Sequence, residues 1–430
     1  MTAIVGILNK RAAVMAADSA VTVSNGDKTK IYNTATKIFR LSLENPVGVM
    51  IFSSASFMGT PWDVIFKLYR DRQGKSSFNT LKEYAQNFMA FLKAENYFSS
   101  IDSQKEYFRS ELSHFYYRIR NKILEQYQAQ TSGLSEEEEA ALDSEAIIRT
   151  LLETQFKKVS EIYKERGINP EFEDYTIDNM LSYGHQDFDE LMDLCKEEQM
   201  PLDLRGLWER SFHSYICSQH YYNGTGIVFV GYGNPDIYPS LLPIYISGAF
   251  DHRMRYYFED DDAVFITNDN SSCISPFAQK DVMLTLMKGY APSFFDKMEE
   301  TYDETLTAIK QKIMEEVKEA GASKKILSKI DGINLSDFKK NYSESMSNFV
   351  REEFIDGIVD AVDSFNIEDM ANMAESLISV TNLQRHISSS DESVGGPIDV
   401  AVITRSEGFI WVKHKQWFSQ ELNAHTKVYE

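Results

Sequence analysis

Three residues near the start of the chain have the types and order that acyl-transfer chemistry needs. Thr2 follows the initiator Met1; once Met1 is removed, Thr2 holds a hydroxyl and a free α-amine in one residue. Such a pairing activates a weak nucleophile, because the amine acts as base for the neighbouring alcohol. Asp18 closes the run Ala12-Ala13-Val14-Met15-Ala16-Ala17, and Lys37 opens another, Lys37-Ile38-Phe39-Arg40-Leu41. Each has a plainer reading: Thr2 as a strand start, Asp18 as a turn acid, Lys37 as a surface cation.

The elements that would position them are strands. Residues 2–8 and 12–17, joined by the polar turn Asn9-Lys10-Arg11, predict a hairpin of a buried sheet. Asn25-Gly26 marks a second turn, and Thr36–Leu43 and Val47–Phe52 read as two further strands. Ser53-Ser54-Ala55-Ser56 is a loop of small residues, and Pro61 opens a helix through Trp62, Ile65, Phe66 and Tyr69. From Asn79 to about His220 the apolar spacing is helical. Strands return at Gly226–Gly231, Leu241–Ser247, and Arg255–Phe258 or Ala263–Thr267. Pro276 is expected to open another helix, with amphipathic segments from Phe294 to Ala322, from Ser336 to Val362 and from Ile367 onward. Ile398–Thr404 and Phe409–Val412 close the chain as a hairpin. The order sheet, helices, sheet, helices, sheet suits an α+β layered domain.

Composition narrows the function. The net charge of −21, from 44 basic and 65 acidic residues, argues against a nucleic-acid surface. The three cysteines (Cys195, Cys217, Cys273) have no metal or disulfide spacing, which predicts neither metal nor cofactor and a reducing cytoplasmic setting. His213 and His220 lie seven apart and read as ordinary histidines. The acidic runs Glu136–Glu139 and Glu259–Asp262 read as a solvated helix start and a strand-end loop, with a divalent-cation site the alternative for the second. No run of about twenty apolar residues exists to span a membrane. Lys10 and Arg11 interrupt the N-terminal apolar run, which predicts mature structure rather than a secretion signal.

Thr2, Ala16-Ala17-Asp18-Ser19 and Lys37-Ile38-Phe39-Arg40-Leu41 resemble the proteasome β-subunit family of N-terminal nucleophile (Ntn) hydrolases. The likeness extends to its bacterial relatives, the two-tier ATP-dependent protease and the ancestral β-subunit group. Asp391-Glu392-Ser393-Val394-Gly395-Gly396-Pro397-Ile398-Asp399 is similar to the family's turn into its last strands. The resemblance covers roughly the first seventy and last sixty-five residues, more weakly Gly226–Ser247.

It implies a four-layer αββα sandwich with two large helical insertions in one domain spanning 1–430. The core would be 1–75, 222–290 and 366–430, and the insertions 76–221 and 291–365. It also implies catalytic roles for Thr2, Asp18 and Lys37, an oxyanion site at Ser53 and Ser54 (where the family has a Gly-Gly turn), and support from Asp391 and Ser393. The family's pocket positions fall on Val21, Ala35, Phe39, Ile51 and Ala55, all apolar. The expected activity is a proteasome-like threonine peptidase acting on peptides or unfolded protein, as a ring homo-oligomer with an ATP-driven unfoldase partner. Two alternatives stand beside it. One is a non-peptidase amidase whose helices roof a small-molecule pocket; the other is a non-catalytic assembly subunit that retains Met1.

Overall fold

The computed structural model describes residues 2–25, 28–94, 100–132, 142–198, 200–219, 221, 224–387 and 395–416, with side chains described for all of these except 22–25, 28–29 and 202. Met1, the run Glu136–Glu139, His220, Asp391 and Ser393 lie outside them.

Strands β1 (Ala3–Asn9) and β2 (Ala12–Ala17) form the hairpin, every residue of both strands buried. Asn9 closes it: its side-chain oxygen accepts the N–H of Arg11 (2.9 Å) and Ala12 (3.3 Å), an Asx turn. Then come a separate ribbon, β3 (Val21–Asn25) and β4 (Lys28–Tyr32), followed by β5 (Ile38–Arg40) and β6 (Val47–Ser53). The short β7 (Ser56–Phe57) and β8 (Thr60–Pro61) lead to α1 (Trp62–Gln73). The α-helices described next are α2 (Leu81–Ala94), α3 (Ile101–Thr131), α4 (Ser144–Arg166), α5 (Ile177–Glu197) and α6 (Arg205–Cys217). The next strands are β9 (Thr225–Gly231), β10 (Ser240–Phe250), β11 (Arg253–Phe258), β12 (Val264–Phe265) and β13 (Ser272–Ala278). Helices α7 (Lys280–Lys288), α8 (Pro292–Glu319), α9 (Lys324–Asp331), α10 (Ser336–Val350), α11 (Asp356–Ser364) and α12 (Ile367–Ile387) precede the closing pair, β14 (Asp399–Thr404) and β15 (Gly408–Lys413).

The structure is mixed α and β with antiparallel sheets. One sheet runs β13-β1-β2-β14-β15, the other β11-β10-β9-β6-β5 with β12 on β10. Alternation along each strand sorts side chains between two faces. Ile4, Leu8, Ala13 and Met15 of the first sheet meet Met50, Phe52, Val228 and Leu241 of the second. Gly6 lets them close, since a Cβ there would lie 2.6 Å from Leu241 Cδ1. The opposite residues, Ala3, Val5, Val14 and Ala16, pack on Met283 of α7, Val362 of α11 and Met370, Ala374 and Ile378 of α12. Val47, Val49, Ile51, Ile227 and Phe229 pack on Trp62, Ile65 and Phe66 of α1 and Tyr84, Phe88 and Leu92 of α2. Each fully buried Leu, Ile, Val or Phe contributes about 1.5–3 kcal/mol. A separate aromatic core joins α3 to α6, with Phe108, Phe115, Trp208 and Phe212 at its centre.

One expectation is corrected. Pro276 does not open a helix; it pairs with Val5 inside β13, and the helix begins at Lys280. An edge strand tolerates a missing N–H, which is the place β13 occupies. The segment expected from Ser336 to Val362 is helical throughout, α10 running into α11 through a π turn at Arg351–Ile355. No residue of α8 is buried, and that helix stacks on α10 through Tyr302 and Tyr342, ring centroids 4.1 Å apart. Among the described residues no helix is long and apolar enough to cross a membrane.

Candidate active site

The start of β1, the end of β2 and the residue before β5 converge. Asp18 follows β2 directly, and its N–H donates to the Ala3 carbonyl at 3.1 Å. Its carboxylate is fully buried and accepts four hydrogen bonds. Oδ1 takes the Ala3 N–H (2.9 Å) and Lys37 Nζ (2.7 Å); Oδ2 takes the N–H groups of Ala20 (3.1 Å) and Gly395 (3.2 Å). Asp18 therefore ties together the residue after Thr2, the lysine, and the turn into β14. Burial pulls the Lys37 ammonium below the ordinary lysine value, against the opposing attraction of Asp18.

A second buried acid lies alongside. Asp399 pairs in register with Ala17 and accepts from His414 Nδ1 (3.1 Å), the Lys415 N–H (3.0 Å) and Lys415 Nζ. Burial would raise its pKa, but these donors outweigh that and hold it below the usual carboxylate range.

Thr2 is 5% exposed, and its carbonyl accepts the Gln279 N–H at 3.2 Å, continuing the β1–β13 ladder. It lines a cavity of about 1020 Å³ at the strand ends, with Ser53 ending β6 and Ser54 after it, Thr225 at the start of β9, Ser247 on β10 and Ala278 ending β13. Three non-glycine residues on its wall have positive φ: Ser53 (70°), Met58 (49°) and Ala278 (61°). Such conformations cost roughly 1–3 kcal/mol each and concentrate at functional sites.

The expected oxyanion donors separate here. The Ser54 N–H is committed to the Gly224 carbonyl at 3.2 Å, and its hydroxyl donates to the Ser56 carbonyl at 2.9 Å. Along β6 the Ile51 N–H points the other way, to the Lys37 carbonyl at 2.8 Å. Alternation therefore directs the Ser53 N–H toward the Lys37 side, past the end of β5.

None of the five residues of the expected apolar pocket is on the wall of this cavity. Ile51 is 4% exposed and Phe39 stacks on Phe66 at 5.0 Å, both in the core under α1 and α2. Val21 and Ala35 are half-buried near the β3–β4 ribbon, and Ala55 is exposed, its carbonyl accepting the Trp62 N–H. Strand alternation places Ile51 there, since odd positions of β6 face the helices and not the sheet interface.

The sequence reading also missed the far wall, made by α3. Ser103, Glu106, Tyr107, Ser110, Glu111 and His114 repeat at three- and four-residue steps along one helix face and line the cavity. Glu111 and Arg255, 2% and 0% exposed, form an ion pair at 3.2 Å. Arg255 also donates to the Tyr107 hydroxyl (2.7 Å), which shares a hydrogen bond with Ser247 (2.6 Å); the Tyr215 hydroxyl donates to Glu111. Burial keeps the Tyr107, Tyr215 and Tyr221 phenols well above the ordinary tyrosine value, so all three stay neutral.

The acidic loop after β11 is held by lysines: Asp260 pairs with Lys82 (3.2 Å) and Asp262 with Lys280 (3.1 Å). Among the described residues no group of three or more His, Cys, Asp or Glu could hold a metal ion. A comparison with protein-family models finds no match for this chain, and a comparison with curated proteins finds none either.

Proposed function

We propose that the chain is a proteasome-like threonine hydrolase, acting through Thr2 after removal of Met1, with its two packed sheets and flanking helices forming an Ntn-type αββα sandwich. The observation that carries this reading is the buried Lys37–Asp18 pair, bonded to the backbone of the residue after Thr2 while Thr2 itself borders a large cavity. The α-amine has an unperturbed pKa of about 7.7–8.0 and must be neutral to act as base. A nearby Lys37 ammonium penalises a second positive charge and lowers that value. Asp18 holds Lys37 charged and oriented. The neutral amine takes the Thr2 hydroxyl proton, the alkoxide attacks the carbonyl carbon, and the proton passes to the leaving amine. Water then hydrolyses the acyl ester. The Ser53 N–H serves as oxyanion donor, a contribution of about 3–4 kcal/mol where such donors have been removed elsewhere.

Intact mass and a variant test the proposal together. Loss of one Met from the mature chain, with turnover of peptide or unfolded-protein substrates abolished by Thr2→Ala, supports it. Retained Met1, or turnover surviving Thr2→Ala, refutes it. A ring homo-oligomer fed by an ATP-driven unfoldase is the assembly this reading carries, and a monomeric mass by light scattering would remove it. The α3 wall favours one second reading, an amidase for small substrates, because a helix across the cavity narrows the approach of an extended chain. Faster turnover of small amides than of peptides would select it.

A further inference from the structure

The cavity wall is uneven in charge. Glu106 and Glu111 contribute carboxylates, hydroxyls from serines, threonines and tyrosines make up much of the remainder, and no Lys or Arg is among the described lining residues. Glu111 is the more telling. It is almost wholly buried, and its Oε2 is bound by Tyr215 and Arg255. Its Oε1 has no hydrogen-bond partner among the described residues. Arg255 stands behind it with no exposure and is absent from the lining, so the pair presents its negative end to the cavity. Buried ion pairs are poor stabilising devices, since desolvation commonly cancels their attraction. A carboxylate held at a cavity wall by a hidden arginine and one neutral phenol is suited to meeting a cation instead. Glu106 lies five residues before it, at the other edge of the lining face of α3, and is exposed.

From this we infer that the α3 wall is a subsite for a cationic group of the substrate, an alkylammonium or guanidinium, received by Glu106 and Glu111 with hydroxyl support from Tyr107, Tyr221 and Ser247. The inference rests on reading this cavity as the substrate site of Thr2, but its test does not depend on turnover. The cation has two sources: a Lys or Arg side chain, or the free α-ammonium of a short peptide. Equilibrium binding to the full chain carrying Thr2→Ala separates them through two matched pairs. The first is Nα-acetyl-lysine methylamide against Nα-acetyl-norleucine methylamide; the second is leucine methylamide against its Nα-acetyl form.

At least one cationic member should bind about tenfold tighter than its neutral mate, as expected for a charge-assisted contact in a partly desolvated site. That ratio should shrink severalfold in Glu106→Gln and with rising salt. The pair showing the preference identifies the source. Glu111→Gln would strand Arg255 and endanger folding, so the exposed Glu106 carries the substitution arm. Ratios at or below one in both pairs, or a preference untouched by Glu106→Gln, overturn the proposal. Absence of peptide turnover by the unsubstituted chain would count against the hydrolase reading while leaving these ratios in place.

Discussion

The four bonds to Asp18 make an asymmetric prediction for the two halves of its ion pair. Replacing Asp18 by Ala strips acceptors from the N–H groups of Ala3, Ala20 and Gly395, and leaves Lys37 buried without its ion-pair partner. Breaking a buried pair from one side costs about 3–5 kcal/mol. Each orphaned N–H adds about 1–3 kcal/mol, less where water can enter. Even with incomplete additivity the loss exceeds about 5 kcal/mol, comparable with the whole stability of many domains. Lys37→Met is different: it removes the cation but leaves Asp18 with three backbone donors, a loss of about 1–3 kcal/mol. Activity should order the other way, with turnover in folded Lys37→Met falling about 10²–10⁴-fold as the Thr2 amine loses its charged neighbour. Denaturant midpoints and peptide turnover measured on the same preparations check both halves. Lys37→Met as destabilising as Asp18→Ala, or retaining turnover, would refute the reasoning that one residue latches the site and the other works in it.

Two further outcomes are expected. Ser53→Gly should raise stability by about 1 kcal/mol, read as a higher denaturant midpoint, because φ 70° strains a side chain but suits glycine. Burial pushes the Cys195 thiol up to about 11 and the Cys217 thiol up to about 12. The native state thus holds these protons more tightly than the unfolded chain. Their stabilising contribution is complete below the unfolded thiol value of about 8.5 and is lost as pH rises through the native values. Native labelling of Cys217 at pH 8 should be about a thousandfold slower than that of an exposed thiol, and urea should restore it.

How much of this was legible depends on the kind of pattern each residue belongs to. The hairpin of β1 and β2 could be read because both strands are continuous apolar runs with a polar turn between them, and that hairpin brings Asp18 to Ala3. Lys37 could be marked as a candidate, but its bond to Asp18 needs β5 of the second sheet to face β2 of the first, and no local pattern states that. The pocket positions came only from the family resemblance, and the side of β5 and β6 that Phe39 and Ile51 occupy is decided by which face receives α1. The α3 wall was invisible for the opposite reason. Its apolar face, Phe108, Leu112 and Phe115, announces burial, whereas Ser103, Glu106 and Ser110 at the same period read as an ordinary solvated surface.

The two long helical segments between the strands are consequently different in kind. Helix α3 supplies Glu111 and Tyr107 to Arg255 of β11, a residue with no exposure. Without α3 that guanidinium would remain in the sheet with its principal partners gone, at the cost attached to an unpaired buried charge. The sheet and this helix therefore depend on one another, and the cavity beside Thr2 has no far wall unless both are present. Helix α8 has no buried residue, so its removal would uncover little apolar core. Chain length alone would class both as insertions; buried charge ties α3 to the sheet and to the cavity wall, while α8, with no buried residue, is set apart from the core that Val362 of α11 joins.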